Sequence, residues 1–121
     1  MEEHFKDGKT TTSASTVEQR NFVSFLKQHT NIKAYLHGLA HESKLYVYNG
    51  PDNDIALNTV GADSPMKGVV SAADETKLTF QFCVIDPKTM MMTVRECFWD
   101  SVPATPSTPV KWGNMVTFSL K

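Results

Sequence analysis

Cysteine is scarce in this chain: Cys83 and Cys97 are the only two in 121 residues. Two are too few for a disulfide scaffold, so a sizeable core has to hold the fold together. Charge of one sign is also lacking. The formal net charge is −1, which excludes the basic field that nucleic acid or an anionic membrane surface requires. No apolar run approaches the ~20 residues of a membrane-spanning helix. The opening residues Met1-Glu2-Glu3-His4 are acidic and polar, the wrong start for a secretory signal, so a reducing cytoplasmic setting and free thiols are expected. There is no internal repeat and no calcium-loop spacing. What remains is an ordinary composition, 40% hydrophobic and 21% charged, for one globular domain without a nucleic-acid or membrane partner.

Residues 1–15 are polar and include Thr10-Thr11-Thr12-Ser13-Ala14-Ser15; a flexible tail is expected there, followed by a single domain over 16–121. Thr16-Val17-Glu18-Gln19 has the form of a capping box and opens a helix of about thirteen residues. Phe22, Phe25, Leu26 and His29 lie at helical spacing and define its apolar stripe. The period then changes to two. Ile32–Leu36, Leu45–Tyr48 and Ile55–Val60 read as strands, with Asn49-Gly50-Pro51-Asp52 as a turn. Gly68–Ser71 reads as a short fourth strand.

A hairpin follows. Leu78, Phe80, Phe82 and Val84 alternate with Thr79, Gln81 and Cys83, Asp86-Pro87-Lys88-Thr89 turns, and Met92, Val94 and Phe98 resume the alternation. Matching the apolar faces sets Val84 opposite Met92, Phe82 opposite Val94 and Leu78 opposite Phe98. That register separates Cys83 from Cys97 by roughly 13 Å along the strand, too far for a disulfide. It also places Glu96 on the apolar face opposite Phe80, where it needs a partner or the sheet margin. Val102–Pro109 carries Pro103, Pro106 and Pro109 and is a loop; Val116, Phe118 and Leu120 give a last strand. The expected fold is α+β, one N-terminal helix on a mostly antiparallel sheet of about six strands.

His37-Gly38-Leu39-Ala40-His41 is the segment with a chemical character. Two histidines four apart chelate a metal from one helix face, but here they fall on a strand-to-strand loop, where hydrogen-bonded loop histidines are the plainer reading. The remaining candidates have plain structural readings. Asp52, Asp54 and Asp63 serve turns. Met90-Met91-Met92 packs a strand end. Trp99 and Trp112 anchor the proline loop. Cys83 and Cys97 are strand thiols rather than nucleophiles.

The segment Asn31-Ile32-Lys33-Ala34-Tyr35-Leu36-His37-Gly38 with His41, together with Asp63–Gly68, Thr93–Trp99 and Val110–Gly113, resembles the C-terminal portion of calcineurin-like metallophosphoesterases. The resemblance extends over residues 16–121 and implies part of that family's sandwich. In the family's Gly-His-x-His block, Gly38 matches the glycine and His41 the second histidine. The first histidine position is Leu39, which cannot coordinate. The family's Asp-x-His, second Asp, Asn-His and further His blocks are absent before Val17, with His4 the one remnant. A two-metal clamp cannot be held by His41 and His37 alone. No cofactor is therefore expected; a single divalent metal on His37 and His41 is the most these residues offer, with Tyr35 and Tyr46 as a neighbouring ligand pocket.

The resemblance thus implies a small non-catalytic binding or assembly domain. The alternative is a residual or split phosphoesterase completed by an oligomer or a second chain. A sheet cut from its other half exposes an edge or an apolar face, so a homodimer or larger homo-oligomer is expected, or a separate chain supplying the missing half-domain.

Overall fold

The computed structural model describes residues 16–38, 40–103 and 109–121. Its elements are α1 (Thr16–Gln28), β1 (Ala34–His37), β2 (Lys44–Tyr48), β3 (Leu57–Gly61), α2 (Val69–Ala73), β4 (Lys77–Asp86), β5 (Met91–Asp100) and β6 (Val110–Ser119). The fold is α+β: an N-terminal helix and six strands in two mostly antiparallel sheets, among the described residues. The expected tail at 1–15, with His4, lies outside the described residues, as do Leu39 and positions 104–108.

The first sheet has the order β1-β3-β2, with β1 parallel and β2 antiparallel to the central β3. One face carries Tyr48 and Leu57, and α1 covers it. Val23 is buried against both, with Phe22, Leu26, Ile32, Tyr35 and Ile55 around them. The buried side of α1 is rotated from the expected stripe. Gln19 and Val23 face inward, while Phe25 is exposed and stacks on His29 at 4.1 Å between ring centroids. Gln19 enters the core because Tyr48 needs an acceptor: Tyr48 Oη donates to Gln19 Oε1 at 2.8 Å. A buried phenol without a partner would be costly.

The turn after β2 fixes the helix in place. Gly50 adopts φ +75°, and a Cβ there would sit 2.9 Å from Val23 Cγ2, so the close approach of helix and turn requires glycine. Both nitrogens of the Arg20 fork reach Asp52 at 2.8 Å, and Lys27 pairs with Asp54. These contacts are exposed and orient the helix more than they stabilise it. Asp52 and Asp54 are thus turn residues that also dock α1.

The second sheet has the order β4-β5-β6, antiparallel throughout. Its inner face meets the first sheet through Val60, Met92, Val94 and Phe118, flanked by Ala34, Leu45, Val116 and Leu120. Val94 is 0% exposed; burying such a side chain contributes roughly 1.5–3 kcal/mol.

The hairpin register differs from the expected one by one residue. Phe82 pairs with Arg95, Val84 with Thr93 and Ile85 with Met92. Asp86 Oδ1 accepts the Lys88 N–H at 2.8 Å, and Met90 takes a left-handed φ of 56°. The loop geometry therefore sets the register, and it overrides the matching of apolar faces. The consequence is large: β5 turns Met92 and Val94 inward, while β4 turns Phe80, Phe82 and Val84 outward. Cys83 and Cys97 lie on opposite faces and both are free.

Of residues 68–71, read as a strand, 69–71 belong instead to the helix α2, and Gly68 is its N-cap. The Gly68 N–H donates to Ser71 Oγ at 3.0 Å and Ser71 Oγ donates to Ser64 O at 3.1 Å, a local hydrogen-bonded turn that outweighs the strand preference of Val69-Val70. The chain then enters β4 through Asp74. Thr76 Oγ1 and N–H donate to Asp74 Oδ1 at 2.6 and 3.0 Å, and Lys77 Nζ lies 3.1 Å from Oδ2. These bonds, Thr76 first and then Lys77, lower the Asp74 pKa from 3.8 to about 2. Because the folded pKa is depressed, this contribution to stability is present above pH 3.8 and is lost as pH falls through about 2. A carboxyl-detected NMR titration is expected to show the Asp74 midpoint near 2, and Thr76→Val to raise it; an unchanged midpoint would mean that Thr76 does not hold the carboxylate.

Candidate functional site

β1 and β2 bring Tyr35, His37 and Tyr46 together. Tyr35 and His37 stack at 5.6 Å between ring centroids, and Tyr46 lies edge-on to His37 at 6.3 Å. His37 Nδ1 is 2.9 Å from Gly38 O and Nε2 is 3.4 Å from Tyr46 Oη. Both ring nitrogens thus have protein neighbours. His41 is exposed in the loop after β1, with a left-handed φ of 53°. Among the described residues no group of three or more His, Cys, Asp or Glu is arranged to hold a metal. Asp63 is engaged elsewhere: it accepts Thr79 Oγ1 at 2.8 Å and the Ser64 N–H at 2.7 Å, which ties the loop before α2 to the start of β4.

Between the sheets lies a polar peg. Glu96 is 6% exposed and lies opposite Gln81, not Phe80. Ser43 Oγ donates to Glu96 Oε1 at 2.7 Å and the Asn114 N–H donates to Oε2 at 2.9 Å. Gln81 Nε2 in turn donates to Ser43 Oγ at 2.7 Å and Gly61 O at 3.2 Å. The network joins the β1–β2 loop and β3 of one sheet to β4, β5 and β6 of the other. It also explains the irregularity in β6. The register with β5 shifts between Arg95 and Cys97, leaving Gly113 and Asn114 opposite Glu96. Such a bulge turns the Asn114 N–H onto the carboxylate. An acidic residue at an apolar position was the sequence signal; Ser43 and Gln81 gave none.

The most distinctive surface is the outward face of the second sheet. In cross-strand rows it presents Leu78, Trp99 and Val110; Phe80, Cys97 and Trp112; Phe82, Arg95 and Met115; then Val84, Thr93 and Thr117. Phe82 is 49% exposed, Trp112 43% and Met115 62%. Trp112 meets Phe82 edge-on at 5.7 Å, and the Arg95 guanidinium stacks over Trp112 at 4.8 Å. Cys97, beneath Phe80 and Trp112, is 1% exposed, and burial pushes its thiol pKa up; it is an inert packing residue. Trp99 borders a cavity of about 600 Å³ with Pro103, Pro109 and Phe98, at the described ends of the proline loop, whereas Trp112, read as a second anchor of that loop, belongs to the outward face. A second cleft of about 380 Å³ runs between β2 and β6.

Compared with protein-family models, with curated proteins and with solved structures, the chain matches none. Among the described residues no helix is long and apolar enough to cross a membrane.

Proposed function

We propose that this is a small non-catalytic assembly domain, drawn from the C-terminal region of a calcineurin-like metallophosphoesterase, whose work is to bind another protein surface, first of all a second copy of itself. The observation that carries this reading is the outward face of the second sheet. Monomeric proteins rarely expose a contiguous apolar patch of this kind, and such patches mark interaction sites. Aromatic residues with an arginine stacked among them are the side chains that dominate protein interfaces. The departure at the position of Leu39, and the engagement of His37 by Gly38 and Tyr46, support a non-catalytic role over a split phosphoesterase.

The test is a metal analysis of protein purified without chelator, run beside light scattering and an aryl phosphate assay. The expected result is no stoichiometric metal, no hydrolysis, and a mass above the 13.5 kDa of one chain. Stoichiometric zinc, manganese or iron that is lost in His41→Ala would favour the split enzyme and overturn the proposal.

A further inference from the structure

We propose that two copies of the chain join along the free edge of β4, antiparallel about a two-fold axis at Cys83, to form one continuous six-stranded sheet; this rests on the assembly reading above and adds to the outward face a backbone edge beside it.

The two sheets leave four outer edges, and they are not equivalent. β1 offers only the four residues Ala34–His37. β2 lies along the cleft against β6. The β6 edge carries Lys111 and is broken by the bulge at Gly113 and Asn114, both of which blunt an edge against pairing. β4 is different. Its ladder to β5 is unbroken from Lys77 to Asp86, and among the described residues no strand pairs with its other side. Its first residues are occupied, with Thr79 bonded to Asp63 and α2 packed nearby. From Phe80 onward no such cover lies along the edge among the described residues; the Gln81 side chain is turned onto the inner face, to Ser43 and Gly61.

The segment Phe80-Gln81-Phe82-Cys83-Val84-Ile85 has no charge, no proline and no glycine. It has the β-branched and aromatic content of a strand that pairs readily. Ile85 is 57% exposed although it belongs to the inner face, so this end of β4 projects beyond the first sheet. A long, uncharged, apolar edge is a template for strand addition.

The geometry selects a second copy as the occupant. The open edge runs from Phe80 to Asp86 and its midpoint is Cys83. Pairing about that midpoint uses the whole open length and keeps each copy clear of the other's Asp63 loop. Phe82 then lies opposite the partner's Val84 and Gln81 opposite the partner's Ile85, so outward faces continue into outward faces. The two Asp86 carboxylates fall at opposite ends, roughly 20 Å apart, well beyond the ~8 Å screening length at physiological salt. Like charges do not meet. An edge of this length buries less than the ~800 Å² per partner of a standard interface, so dissociation in the micromolar range is expected.

The full-length chain at tens of micromolar is treated with diamide, which takes up the two electrons and two protons released when two thiols join, and is then run without reductant. The expected product is a covalent dimer that disappears in Cys83→Ser and persists in Cys97→Ser. In light scattering, Phe82→Lys and Val84→Glu are each expected to weaken the wild-type dimer at least tenfold, and an equimolar mixture of the two to restore association, because positions 82 and 84 oppose each other. A dimer that is not cross-linked at Cys83 and is untouched by either substitution would overturn the β4 edge while leaving an assembly domain standing. A chain that stays monomeric throughout would overturn both.

Discussion

Glu96→Ala is expected to cost about 3 kcal/mol of folding stability, read as a shift of the urea midpoint at constant slope. The carboxylate accepts from Ser43 Oγ and from the Asn114 N–H while nearly sealed from water. Removing it breaks two hydrogen bonds from part-buried donors to a charged group, and bonds of that kind contribute about 1.5–3 kcal/mol each. Gln81, which donates to Ser43, loses its anchor as well. Glu96→Gln keeps one acceptor oxygen but sets an amide against one of the two donors, so a smaller loss, about 1–2 kcal/mol, is expected. Equal and negligible losses in the two variants would show that the sheets are joined by their apolar contacts alone.

The second large effect lies in the neighbouring strand. A Cβ at Gly113 would approach Phe98 Cε2 at 2.4 Å and both Cβ and Oε2 of Glu96 at 3.1 Å. No side chain fits without moving the Phe98 ring and the peg beside it. Gly113→Ala is expected to cost about 2 kcal/mol, within the usual range for overpacking, and Gly113→Val more. Gly38 is the control: a Cβ there meets nothing within 4 Å, so Gly38→Ala is expected to change stability by less than about 0.5 kcal/mol. A midpoint shift as small for Gly113→Ala as for Gly38→Ala would mean that β6 does not pack on Glu96 in the manner described.

These two positions also mark where the sequence was legible and where it was not. The alternation of Leu78–Val84 and the return through Met92–Phe98 identified the long hairpin, and the polar break at Asn31 ended α1 close to its observed limit at Gln28. Periodicity carried that information because it is local. The register did not follow, since four apolar side chains on β4 invited pairing with the apolar side chains of β5, while the Asp86 turn and Met90 impose an offset of one. That offset is why the phenyl groups of Phe80 and Phe82 face outward, and hence why the candidate interface could not be read in advance. Gly68–Ser71 failed for a related reason. The hydrogen bond that makes it helical runs to Ser71 from Gly68 and onward to Ser64, a short-range pattern hidden by two valines. Tyr35, His37 and Tyr46 were legible as neighbours because alternation puts residues 35 and 37 on one face. The peg was half legible: Glu96 was conspicuous as an acid among apolar residues, whereas its partners lie 53 and 18 residues away along the chain.

Arg95 and Trp112 illustrate the same limit from the other side. Arg95 did not stand out in sequence and Trp112 was read as an anchor of the proline loop, yet the guanidinium stacked on the indole occupies the middle of the outward face. A cation over an exposed aromatic ring contributes about 0.5–1 kcal/mol, and more when it is removed from water. Its place beside Phe82 and the open β4 edge makes it part of the surface on which the assembly proposal stands.

Sedimentation equilibrium of the full-length chain under reducing conditions, across one to several hundred micromolar, tests the assembly role most directly. The expected result is a weight-average mass that rises with concentration from 13.5 kDa toward twice that value, with no larger species. A constant mass of 13.5 kDa at every concentration would contradict it.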